Sequence, residues 1–214
     1  MYFRLTQVDV QEGKMDETIA YASGVMDSFV DTPGLYQICI AEMSNGQMTS
    51  WTTWANNEAK EAAMAEFQQN LAGLAELLNE PPTILEGPMV AGQQYIMVPK
   101  DGEEPFFARF VMGGGTQEGK TYDDIADFMT NTVYTAYENV EGIYATGACK
   151  IDENSGFSFN FWTSHDAAHA ASEVISSVVS DAVASLIKEA PKELTGECNA
   201  VSYTHLTLPT IDPV

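Results

Sequence analysis

The chain has 214 residues, 45% of them hydrophobic and 10% aromatic, enough to bury a core and too apolar for a disordered segment. Its 31 acidic against 9 basic residues give a formal charge of −22, a field that repels nucleic acid and anionic membrane surfaces alike. Such acidity suits either a salty habitat, where screening weakens self-repulsion, or an ordinary acidic cytosolic protein.

From the start of the chain, Met1 leads into Tyr2-Phe3-Arg4-Leu5-Thr6-Gln7-Val8 without a basic segment followed by an apolar one, so no signal peptide is expected. Tyr2–Val10 alternates and reads as a strand, and Met15–Val30 carries apolar residues at helical spacing. Leu35–Met43 and Met48–Ala55 read as strands around Ser44-Asn45-Gly46-Gln47, where Asn-Gly signals a hairpin. Asn57–Asn79 is predicted as a long helix, with Met64, Phe67, Leu71, Leu74 and Leu78 on one stripe. Pro81-Pro82 stops it, and Thr83–Ala91 reads as a fourth strand. Gly92–Pro105, with Pro-Lys-Asp-Gly-Glu-Glu-Pro inside it, reads as a linker.

The same order then recurs over Phe106–Met112, Tyr122–Asn139, Ile143–Ile151, Phe157–Thr163, His165–Ala190 and Leu194–Ala200. The repetition extends to local motifs. Gln-Glu-Gly-Lys stands at Gln11–Lys14 and again at Gln117–Lys120, each after an arginine-bearing aromatic stretch. Pro33-Gly34-Leu35-Tyr36 matches Glu141-Gly142-Ile143-Tyr144, and Trp54–Ala59 matches Trp162–Ala167. Glu86-Gly87 pairs with Thr195-Gly196 in the same near-constant register, so the chain is a tandem duplication. The order βαββαβ taken twice predicts an α+β fold: two ferredoxin-like repeats, at 1–91 and 106–200, whose bare sheet faces pair as a pseudo-dimer within one chain. The strands are apolar at nearly every position, as expected when both sheet faces are covered.

Trp-x-Asn/Ser-x-Glu/Asp-Ala opening a helix after the third strand, in a short βαββαβ unit, resembles the dimeric α/β-barrel superfamily, and within it the antibiotic biosynthesis monooxygenase (ABM)-like domains. Both copies carry the motif, so the resemblance spans the chain to about Ala200. Within the motif, Asn56 and Ser164 are predicted helix N-caps, with Glu58 and Asp166 in the positive first turn, and Trp54 and Trp162 are expected to pin strand to helix. The haem-handling branch of the family implies a histidine about two turns into this helix, where this chain has Ala63 and Ala171. The cofactor-independent oxygenase branch implies a buried apolar pocket with a few polar groups that deprotonate and orient a phenol or quinol. The resulting expectation is an enzyme of that type, without metal, flavin or haem, acting on an apolar or aromatic substrate in the barrel cavity. The alternative is a non-catalytic ligand-binding or structural protein.

Four residues are candidate substrate-binding groups. The chain has only two arginines, Arg4 and Arg109, at matching places in the first strand of each copy. A charge there must be paired. Either each makes a structural salt bridge, or both point into the barrel and hold an anionic or carbonyl group of a ligand. Tyr36 and Tyr144 also match, as a hydrogen-bond donor or acid–base group or as strand packing with a wet hydroxyl. No catalytic set of Ser, His and Asp is recognisable. His165 and His169 have metal-like spacing but lack a third ligand, and the first copy is read as having Asn57 and Lys60 in their places. Gly113-Gly114-Gly115 lacks the ending of a phosphate loop and reads as an ordinary loop. The ten methionines suit adaptable packing. Cys39, Cys149 and Cys198, odd in number and far apart, read as core residues of a reduced, cytoplasmic compartment. No apolar run approaches the ~20 residues of a membrane span.

Val201–Val214 departs from the rest of the chain in charge and patterning. The stretch Val-Ser-Tyr-Thr-His-Leu-Thr-Leu-Pro-Thr is similar to the in-frame translation of a sequencing-library transposase adapter. The expectation is a non-native tail, loose or extended, which removes His205 from the candidate ligands.

Overall fold

The structure, a computed structural model, describes residues 1–95 and 106–203. Among the described residues, eight strands and five α-helices follow one another as two copies of one order. In the first copy these are β1 (Tyr2–Val8), α1 (Met15–Asp27), β2 (Leu35–Met43), β3 (Met48–Trp54), α2 (Asn57–Leu71) and β4 (Thr83–Gln94). The second has β5 (Phe106–Met112), α3 (Tyr122–Phe128), α4 (Tyr134–Tyr137), β6 (Ile143–Lys150), β7 (Gly156–Trp162), α5 (His165–Leu186) and β8 (Lys192–Tyr203). The expected duplication and α+β class are therefore seen. Every pairing in the described ladders is antiparallel, and the strand order β1-β3-β2-β8-β5-β7-β6-β4 closes on itself as an eight-stranded barrel.

The chain divides into two compact units. Unit 1 holds Met1–Pro88 with β8 from Gly196, and unit 2 holds β4 from Met89 together with Phe106–Thr195. The two halves of β4 have different partners: Thr83–Pro88 pairs with β1, and Met89–Gln94 pairs with β6. Strand β8 pairs with β2 from Gly196 to Tyr203. Both strands run beyond their expected ends. β4 takes in Gly92–Gln94 of the supposed linker, and β8 takes in Val201–Tyr203 of the supposed tail. Residues 204–214 and most of the linker lie outside the described residues.

Helix starts follow local chemistry. Asn56 accepts from the Ala59 N–H at 2.8 Å, and Ser164 from that of Ala167 at 3.2 Å, so both expected caps form. These caps align the two helices and place Lys60 opposite Ala168, not opposite His169, whose counterpart is Glu61. At α3, Asp124 Oδ2 accepts from the Thr121 N–H at 2.8 Å, a capping box. Two predicted helices are interrupted. The first stretch after Leu71 is a 3₁₀ turn, Ala72–Leu77, and Met129–Val133 is a π turn between α3 and α4.

In unit 1, helices α1 and α2 cover one face of the sheet. Phe67 of α2 stacks on Phe29 at 3.7 Å and meets Trp54 edge-on at 5.7 Å. In unit 2, Tyr137 meets Trp162 edge-on at 5.4 Å. Each tryptophan therefore pins its strand to the helical layer, as the motif implies. The opposite face is equally apolar: Phe3, Leu5, Cys39 and Trp51 in unit 1, and Phe106, Phe110, Phe159 and Phe161 in unit 2, are all buried.

Candidate functional site

Strand parity and the helices decide where the candidate arginines go. Arg4 and Thr6 alternate with Phe3 and Leu5, and the partners of Arg4 show which face it takes. Its Nη1 donates to Met64 Sδ on α2 at 3.2 Å and to Glu86 Oε2 on β4 at 3.0 Å. Arg109 repeats this placement: Nη1 donates to Ser172 Oγ on α5 at 2.9 Å, and Nη2 to Glu193 Oε1 on β8. Both side chains lie on the helix-bearing face of their own sheet. The idea that they point into the barrel is therefore corrected, because the register puts Phe3 and Ala108, not the arginines, on the other face. The two sequence readings are combined: each arginine makes a salt bridge and also lines a cavity.

The cavity of unit 1 has a volume of ≈ 300 Å³. Its walls are mostly aliphatic and aromatic, from Met26, Ile38, Ile40, Phe67 and Leu74, with Trp51 among the lining residues. Arg4, Thr6, Ser50, Thr52 and Gln68 supply its polar side chains, and no carboxylate, histidine or tyrosine among the described residues lines it. This is the composition of a small-molecule site: apolar walls with a few placed polar groups. Unit 2 has a counterpart of ≈ 280 Å³, lined by Arg109, Asn160, Ser158, Ser172 and Tyr137 among aliphatic residues, and by Phe128, Met129 and Val133 at the π turn. Burial raises the Tyr137 hydroxyl to about 12, with Arg109 pulling it down and Glu193 pushing it up.

Tyr36 and Tyr144 line neither cavity. Tyr144 is buried, with its ring edge-on to Phe106 at 6.2 Å. His165 and His169 stack on the surface of α5 with ring centroids 6.3 Å apart, away from both cavities. Among the described residues no group of three or more His, Cys, Asp or Glu side chains is assembled to hold a metal. Ala63 and Ala171, where the haem-handling branch implies a histidine, are packed in the two cores. Gly113-Gly114-Gly115 follows β5 as a loop. None of the three cysteines is in a disulfide and all are buried, and burial pushes the Cys39 and Cys149 thiols up. No described helix is long and apolar enough to cross a membrane.

The group that the sequence did not single out as functional is Lys60. It is 1% exposed, and its ammonium lies 2.7 Å from Glu86 Oε1, 2.9 Å from Glu61 Oε1 and 4.7 Å from the centre of the Tyr2 ring. Glu86 is thus shared between Lys60 and Arg4. Burial opposes the charge on Lys60, but its hydrogen bonds to Glu86 and Glu61 outweigh that and raise its pKa. A lysine among alanines on a helix looks like a solvated residue. Only the arrival of Glu86 from β4 makes it a buried ion.

Three solved structures share this fold across both repeats. The chain is similar to a putative monooxygenase from Fusobacterium nucleatum, with a TM-score of 0.77 at 11% identity over 98% of this chain and 97% of that one. A second, from Lactobacillus acidophilus, has a TM-score of 0.71 at 10% identity, over 95% and 96% of the two chains. An anthrone oxidase-like protein has a TM-score of 0.69 at 14% identity, over 95% and 93%. No family model matches the chain, and no curated protein matches it by sequence. The fold is thus that of the tandem-duplicated dimeric α/β barrel, as the motif resemblance implies.

Proposed function

We propose that the chain binds an apolar or aromatic small molecule in the cavity of unit 1 and acts on it as a cofactor-independent oxygenase. The observation that carries the reading is Arg4, a cation on the wall of an otherwise apolar ≈ 300 Å³ cavity. A guanidinium there would bind and stabilise a phenolate or enolate, the electron-rich form of a substrate that reacts with oxygen directly. The names of structural neighbours, monooxygenase and anthrone oxidase-like, support the reaction class. Tyr36 and Tyr144 have no place in this site. The buried cysteines, none of them in a disulfide, and the strong negative charge suit a cytoplasmic setting without nucleic-acid partners.

A second reading is a ligand-binding protein without turnover. It is favoured by the lining of the unit 1 cavity, which contains no carboxylate, histidine or tyrosine among the described residues to take a proton from substrate. Oxygen uptake by purified protein with a panel of phenols, quinols and anthrones separates the two. Uptake that depends on Arg4 supports oxygenase chemistry. Ligand-dependent melting shifts without uptake support the binding protein.

A further inference from the structure

The two cavities have the same architecture and different electrostatics. In unit 2, one terminal nitrogen of Arg109 serves Ser172 and the other serves Glu193, while Nε is sealed from solvent without an acceptor among the described residues. Its single positive charge is balanced by the Glu193 carboxylate. In unit 1 only Nη1 of Arg4 is engaged, and one of its two acceptors is a thioether, a weak one. Nη2 and Nε have no protein partner among the described residues and are not sealed. The carboxylate that should neutralise Arg4 is divided, because Glu86 also holds the buried Lys60. The other carboxylate near Lys60 belongs to Glu61, which does not contact Arg4. Ala168 stands at the matching position of unit 2, so this extra buried cation belongs to unit 1.

We propose that unit 1 alone binds an ionised apolar acid, a carboxylate or phenolate on an aromatic or aliphatic body, one per chain. Arg4 contacts the acid and Lys60 acts as a positioning residue that withdraws Glu86 from Arg4. The cavity of unit 2, where both terminal nitrogens of the arginine are held and its Nε is out of reach, does not select acids. This inference rests on the reading of the unit 1 cavity as the ligand site.

The test compares naphthoate with naphthamide, which share one ring system and differ in charge. Isothermal titration gives affinity and stoichiometry, and the same titration on Arg4→Gln and on Arg109→Gln reports which unit is filled. In the wild-type protein naphthoate is expected at one site per chain, at least about tenfold tighter than naphthamide, the scale of one charge-assisted hydrogen bond. Lys60→Met, which keeps an apolar chain of similar length, is expected to weaken naphthoate about tenfold and leave naphthamide within about twofold. Lys60→Ala, the residue that unit 2 accepts, serves as a second variant, and the acid–amide comparison in wild type needs neither. Two naphthoates per chain, equal affinity for both probes, or equal weakening of both by Lys60→Met would each overturn the inference while leaving the cavity as a binding site. If neither probe binds, the reading of the cavity falls and the inference with it.

Discussion

The Lys60 ammonium and the Glu86 carboxylate meet at 2.7 Å, joining a helix residue that is 1% exposed to a strand residue whose side chain is 29% exposed. Removing one partner of a buried pair leaves the other charge unmatched, the costly case. Glu86→Gln is expected to lower unfolding free energy by about 3 kcal/mol in urea titrations at neutral pH. The pKa of Lys60 is raised in the folded protein, so its contribution is complete below the unfolded lysine value. It is lost as pH rises through the folded value. The gap between wild type and Glu86→Gln should therefore shrink when the titration is repeated above about pH 10.5.

Asp124 closes the capping box of α3, and its carboxyl is held below the usual range, first by the Thr121 backbone N–H and then by Lys120. A depressed carboxyl stabilises above its unfolded pKa and loses that contribution as pH falls through its folded value. Asp124→Asn should lower the melting temperature at pH 7. As pH falls below the ordinary aspartate value, the gap between the two melting temperatures should narrow.

Gly34 and Gly142 occupy matching turns before β2 and β6, with φ of 80° and 82°. A Cβ at Gly142 would lie 2.6 Å from Thr163 Oγ1 and 2.8 Å from Ala167 Cβ, and one at Gly34 would lie 2.6 Å from Ala59 Cβ. Left-handed backbone and close approach act together here. Alanine at either position should cost about 2 kcal/mol or more in equilibrium unfolding, whereas Gly24→Ala, in mid-helix with open space, should be neutral or stabilising.

The indole Nε1 of Trp54 donates to Thr52 Oγ1 at 2.8 Å within the buried core. Thr52→Val keeps the shape and removes the acceptor, so a loss of about 1–3 kcal/mol in urea unfolding is expected. In unit 2 the matching Asn160 carbonyl accepts instead from Thr146 at 2.9 Å, and Trp162 Nε1 has no acceptor. Trp162→Phe should accordingly cost less through its polar atom than Trp54→Phe, a difference readable by comparing the two variants in the same titration.

Local chemistry made most of the fold legible. Asn56 and Ser164 announce helices by their cap chemistry, Asn45-Gly46 announces a hairpin, and Gly34 and Gly142 mark turns that need a positive φ. The duplication could be read because matched residues keep nearly constant spacing. The ends of β4 and β8 were not legible, since Gly92–Gln94 and Val201–Tyr203 have no strand pattern of their own. They become strand by pairing with β6 and β2. The π turn at Met129–Val133 is similarly silent, because nothing in the spacing of its residues separates a wider turn from a continuing α-helix.

By itself the sequence determined a repeated βαββαβ chain, the caps and turns that bound its elements, and the matching places of its two arginines. These depend on residue type and spacing within a few positions. Only the tertiary structure decided that Arg4 and Arg109 face the helices, that each lines a cavity, and that Lys60 shares Glu86 with Arg4. Those relations join residues as far apart in sequence as β1, α2 and β4, and strand parity alone leaves both faces open. What settles them is the need to pair a buried charge, which the sequence states as a requirement and the packed sheet and helix satisfy.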